Sequence, residues 1–247
     1  MIPRRRGERT QKGNPYRLTR EQHVIPAATL RRFALPDGRV EVHLRDGRIV
    51  KLPVGDQHFC VDRLWDQRSE AGYMKRIEDE FQALVTDLDA GHPGPLSDAE
   101  HRCVTRFWGL WHWRNHFIDS PLEDVKLNSV AGESMSLDKR EILESNGYAF
   151  AIGDGKIPAR MMTGLHIQIA IDRHEMANGG RRWGILRSLA LPLVIADRPG
   201  NLLQLPASPR ILLAADNQDG YLSYSEAFRA NQAAFAFSRN FAVIGRF

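Results

Sequence analysis

Apolar positions follow two rhythms along the chain, one of three and four residues and one of two. The clearest helical rhythm covers residues 70–88, where Tyr73, Ile77, Phe81, Leu84 and Leu88 recur with Met74 and Val85 widening the stripe. Gly91 and Pro93 stop it. A second helix starts at Ser97-Asp98-Ala99-Glu100, a capping box. It carries Val104, Phe107, Trp108 and Trp111 and runs to about Ile118, where Asp119-Ser120-Pro121 breaks it. The short Gly/Pro link predicts an antiparallel helix pair. Over 158–178 the rhythms compete. Leu165, Ile167, Ile169 and Ile171 alternate, whereas Met162, Leu165, Ile169 and Met176 make a helical stripe; the length, Pro158 and Gly179-Gly180 favour the helix.

The two-residue rhythm comes first at 39–52. Val40, Val42 and Leu44 alternate, Asp46-Gly47 supplies a turn, and Ile49-Val50 returns, which predicts a β-hairpin. A strict two-residue turn sets Val42 against Lys51, a register that a bulge would repair. Before it, Pro26 opens a short helix over 27–33 that turns Leu30 and Phe33 inward. Residues 122–146 are helical in tone. Beyond Gly180, the runs 183–186, 191–196 and 211–215 read as strands, 223–238 as a helix and 241–244 as a last strand. The fold class is therefore α+β, with an N-terminal hairpin, a central helical bundle, and C-terminal short strands with a late helix.

Composition adds little until charge is located. The 247 residues are 43% hydrophobic and 26% charged, ordinary for a globular protein, and carry a net charge of +4. Residues 1–20 hold seven cations and one anion, a surplus of six that leaves the other residues at −2. The division expected is a basic, unstructured tail over 1–20 and one α+β domain over 21–247. No apolar run is long enough to span a bilayer and no apolar signal core follows the cationic start, so the expected location is cytoplasmic. Cys60 and Cys103 form neither a disulfide framework nor a zinc motif.

Several segments together resemble a bacterial family, the domain of unknown function numbered forty-two thirty-eight. They are Gln22-His23-Val24-Ile25-Pro26 with Leu30-Arg31-Arg32-Phe33, Ile77-Glu78, the arginine-bearing helix after Ser97, Trp183 followed by 191–199, and Asn231. Ala196-Asp197-Arg198-Pro199 stands where the family pattern looks like Ser-Asp-x-Pro, so the aspartate and proline are kept and a hydroxyl is lost. The resemblance implies a shared architecture and carries no established reaction.

Two function classes fit these residues. One is a binding or interaction protein that contacts nucleic acid. Its cations would come from Arg4, Arg5 and Arg6 of the tail and from Arg102 and Arg106 of the second long helix, with Trp113 of the same helix stacking on a base. Trp108 and Trp111 fall on that helix's apolar stripe and are expected in the core. The alternative is a metal-assisted hydrolase, a nuclease above all, in which His23, Glu78 and Asp197 converge around a divalent cation. The competing expectation for Glu78 is an ion pair with Arg102 or Arg106. His112 and His116, four apart, could face one metal ion but lack the glutamate of a zinc-protease helix. Phosphate-loop and nucleophile-elbow motifs are missing, which argues against P-loop nucleotide hydrolysis and α/β-hydrolase chemistry.

Overall fold

The computed structural model describes residues 9–91, 94–131, 133–153, 155–200 and 202–247. Arg4, Arg5 and Arg6 lie outside them. Strand β1 (Glu21–His23) pairs with β4 (Cys60–Asp62), and between them lie α1 (Ala27–Arg32), β2 (Arg39–Leu44) and β3 (Ile49–Pro53). Helices α2 (Lys75–Asp89), α3 (Asp98–Asp119), α4 (Leu137–Ser145) and α5 (Ala159–Asn178) follow, with the small strands β5 (Val125–Lys126) and β6 (Lys156–Ile157) around α4. The chain then forms β7 (Trp183–Ser188), β8 (Val194–Ala196), β9 (Gln204–Ser208), β10 (Ile211–Ala215), β11 (Gly220–Leu222), α6 (Tyr224–Phe237) and β12 (Phe241–Ile244). This is the α+β fold expected. Among the described residues no helix is long and apolar enough to cross a membrane.

Two of the sheets have four strands each. One has the order β11-β7-β10-β9 and the other β3-β2-β12-β8. In the hairpin, Val42 faces Val50 and Val40 faces Leu52, so the apolar side chains match. The match comes from a loop of three residues rather than two. Gly47 at φ +86° donates to the Leu44 carbonyl, and Leu44 to that of Arg48, so the extra residue sits in the turn and the strands need no bulge. Strand β9, which the sequence pattern does not pick out, contains Pro206 and lies at a sheet edge, where a missing N–H costs least.

Three further expectations are corrected. The stretch 122–146 is helical only in α4; Pro121 and the polar run after it leave too few apolar contacts for a longer helix. Residues 9–20 are not an unstructured tail. Leu18 is buried, Tyr16 donates to Asp138 at 2.7 Å, Gln11 bonds to Asp138 and Glu141, and the Thr19 amide donates to Gln67. This strap lies against α4, with Arg9, Lys12, Arg17 and Arg20 exposed. The stripe assigned to α5 is turned the wrong way. The helix buries Thr163, Gly164, Ile167 and Ile171, while Ile169 is 40% and Met176 78% exposed. Gly164 on the inner face lets α5 lie close against Asp66 and Ser69, while Ile167 and Ile171 supply the apolar contacts, so close fit decides between two faces of similar hydrophobicity.

α3 is packed on two sides. Phe107 stacks on Phe81 of α2 at 3.7 Å between ring centres, and α5 covers the opposite face. Trp183 joins it to β7, its indole N–H donating to Thr105 Oγ1 at 2.9 Å and its amide to His101 Nδ1 at 3.0 Å. One continuous apolar cluster reaches from Ile25 to Val243, drawing on both large sheets and on α1, α2, α3 and α5. At its centre is Arg114, 1% exposed, whose guanidinium donates to Glu78 at 2.5 Å and to Glu70 at 3.3 Å and lies over the Trp65 ring at 5.1 Å. Removing a buried cation strands its carboxylates, so Arg114→Leu is expected to lower unfolding free energy by about 3–5 kcal/mol. Adding Glu70→Gln and Glu78→Gln to that variant should recover most of the loss, measured by chemical denaturation.

Candidate functional site

The three residues proposed as an acid–base or metal centre have separate structural duties. His23 ends β1 opposite Cys60, with its Nε2 3.3 Å from the Val54 carbonyl. Glu78 is held by Arg114 rather than by Arg102 or Arg106. Antiparallel register explains the choice: the first turn of α2 lies beside the later half of α3, and Arg102 stands at the far end. Asp197 is buried at the end of β8. It accepts the amides of Arg239 and Asn240 and the Asn240 side-chain amide, each at 2.8 Å, clamping the turn between α6 and β12. Among the described residues no three His, Cys, Asp or Glu side chains are arranged to hold a metal ion. The proposed convergence of His23, Glu78 and Asp197 is thus not formed. Burial pushes the thiols of Cys60 and Cys103 up to about 12, so neither is a thiolate at neutral pH.

The set on α3 fares differently. Arg102, Arg106, Gly109 and Trp113 fall within about 60° of one another on the helix. The middle of this face is covered by α5, however. Gly109 makes room for the His174 ring, and Arg106 is spent on Glu175 of α5, Glu80 of α2 and the face of Tyr73. Arg102 stays exposed at one end. Toward the other end Trp113 is half-buried and lines an open groove of about 430 Å³ between α3 and α5. Phe117 of α3 and His166, Ile169, Arg173 and His174 of α5 share that lining.

Aromatic rings make the groove's frame. His174 stacks on Trp108 at 5.0 Å, Trp108 on His112 at 5.0 Å, and the edges of His112 and His116 flank Trp113 at 5.1 Å. His116 then meets Phe117, and Phe117 meets His166 at 6.2 Å. Here His112 and His116 pack around an indole. Burial depresses the His174 pKa to about 4, helped by His112 and Arg181, and burial with His116 lowers that of His112. Both rings are therefore neutral at pH 7. The Asn178 side-chain amide lies 3.3 Å from His174 Nδ1; if it donates there, the proton is on Nε2. That nitrogen, like the indole nitrogen of Trp113, is buried without a hydrogen-bond partner. Two unpaired ring nitrogens thus belong to residues lining one groove, with the exposed cation Arg173 beside them.

Sequence reasoning singled out Trp113 but missed His166, Arg173 and His174. The available signal was the small-residue face of α5, which places position 174 against α3 and 169 outward. Scans against family models, curated proteins and solved structures find no match to this chain.

Asp197→Ala leaves three donors unsatisfied and is expected to cost about 2–4 kcal/mol in a denaturant titration, whereas any loss of a metal-dependent activity without loss of stability would contradict the clamp. For pH, the unfolded His174 binds a proton near 6.5 and the folded one only near 4, so stability falls as pH drops through that window. A His174→Gln variant should lose less stability than the parent between pH 7 and pH 4, by on the order of 1 kcal/mol given solvent screening of a partly exposed ring.

Proposed function

We propose that this is a binding protein for single-stranded nucleic acid, with a base received in the groove between α3 and α5. The observation that carries the reading is an open groove lined by the rings of Trp113, Phe117 and His166, with Arg173 exposed in it. The aromatic lining offers stacking, which is tolerant of sequence, and Arg173 offers contact to a phosphate. Exposed Arg9, Lys12, Arg17 and Arg20 on the strap, with Arg4, Arg5 and Arg6 before them, add long-range attraction for a polyanion. The metal-assisted nuclease reading has no such support, because its three side chains are each engaged elsewhere.

Fluorescence anisotropy with a labelled oligo-uridine measures the binding. Trp113→Ala is expected to raise Kd about tenfold or more, since one stacked base contributes about 1–3 kcal/mol. Arg173→Ala should reduce the slope of log K against log salt by about 0.7–1, and removing residues 1–8 should flatten it further. A wild-type protein that retains no oligonucleotide at low salt would end the proposal.

A further inference from the structure

A second cleft, open and of about 530 Å³, lies between the strap and the ribbon formed by β1 and β4. Arg9 and Lys12 line it from the strap, Arg20 and Glu21 from the entry to β1, and Asp62 and Arg63 from the exit of β4. Helix α4 holds both walls in place. Its Asp138 and Glu141 accept from Gln11 of the strap, and its Glu144 accepts from Arg63 at 2.7 Å. Arg63 is buried and spent on that contact, whereas the other five charged side chains are exposed.

Among the described residues, the side chains of Arg9, Lys12, Arg20, Glu21 and Asp62 have no ion-pair or hydrogen-bond partner. Glu21 and Asp62 stand directly opposite each other in the β1–β4 register. That puts their Cβ atoms about 5 Å apart, a like-charge pair that costs a two-stranded ribbon stability. Three cations and two carboxylates thus share one cleft without pairing across it. A ligand that satisfies both sets brings an anion to the cations and uncharged hydroxyl donors to the carboxylates, which repel further negative charge. A sugar phosphate has both parts. The volume agrees, since small-molecule and cofactor sites run to roughly 300–1,000 Å³. No aromatic side chain is among the described residues lining the cleft, so a base attached to the sugar has nothing to stack on. From these constraints we propose that the cleft binds the ribose phosphate of a nucleotide, its phosphate held by Arg9, Lys12 and Arg20 and its ribose hydroxyls donating to Glu21 and Asp62. The same moiety occurs in a free nucleotide and at the phosphorylated end of an RNA. This site does not rest on the reading given to the groove between α3 and α5.

Isothermal titration calorimetry of the full chain at low salt tests it, with AMP as the probe. A ligand of this size held by exposed charges is expected to bind with a Kd on the order of 0.1–1 mM. Adenosine, which lacks the phosphate, should bind about tenfold more weakly, as should AMP to Lys12→Gln or Arg20→Gln, whose exposed side chains can change without loss of the fold. Loss of the 2′-hydroxyl in dAMP should cost about fivefold. The double variant Glu21→Gln, Asp62→Asn should bring AMP and dAMP toward equal affinity, whereas carboxylates that merely repel would leave their ratio unchanged and overturn the assignment. Trp113→Ala should bind AMP as the parent does; a loss there puts the nucleotide in the other groove and overturns the proposal. A preference for 5′-phosphorylated over 5′-hydroxyl oligo-uridine, lost in Lys12→Gln, assigns the cleft to a strand's end, and equal binding of the two assigns it to free nucleotides. Absence of saturable AMP binding, or adenosine or dAMP binding as tightly as AMP to the parent, also overturns the proposal.

Discussion

The Arg114 guanidinium has almost no access to water, so its charge must be neutralised where it lies. Glu70 and Glu78, which do this, belong to the segment that leads into and begins α2. The pair of contacts therefore sets both the distance between α2 and α3 and the rotation of α3 about its own axis. That rotation has consequences on two sides. Trp111 and Trp113 project about 160° apart, with Arg114 between them. Trp113 consequently lines the groove beside α5, while Trp111 lies in the core on the other side of the helix. The candidate groove is built on a helix whose orientation a buried charge dictates, with apolar packing filling in around it.

Much of this was legible along the chain, and the reason is local chemistry. The capping box at Ser97 and the Gly/Pro stops fix helix ends through hydrogen bonds made within a few residues, so α3 begins where its sequence says. The hairpin was visible for the same reason, and only the length of its turn was misjudged. The orientation of α5 was not legible. Leu165, Ile169 and Met176 on one side are matched by Met161, Ile167 and Ile171 on the other, so hydrophobicity alone does not choose between them. The close approach at Gly164 does, and that tertiary fit is encoded in no single helix. Strand β9 escaped notice because its proline is harmless only at an edge, and edge status depends on residues elsewhere.

The candidate sites divide along the same line. Trp113 could be singled out because helical spacing separates it from Trp108 and Trp111. Its partners on α5 could not, since they are some 50–60 positions later and depend on the orientation just described. The grouping of His23, Glu78 and Asp197 rested on three polar residues near element ends having no visible local partner. Each had one: a carbonyl on β3's far side, a buried arginine, and two backbone amides. Polar residues at element ends are called on by the backbone at least as often as by a substrate. Gln22 makes the same point, since its buried amide accepts from Leu64 and Trp65 and donates to the Trp65 carbonyl.

The position of β12 constrains how the molecule can be made. This strand, 241–244, is not added at the rim of its sheet but lies between β2 of the hairpin and β8. Until it emerges from the ribosome, β2 and β8 each present an unpaired edge that the finished sheet covers. A nascent chain of some 200 residues therefore carries two open seams. Closure by β12 pairs residues about 200 positions apart, a late and long-range event of the kind that slows folding and invites mispairing with other copies.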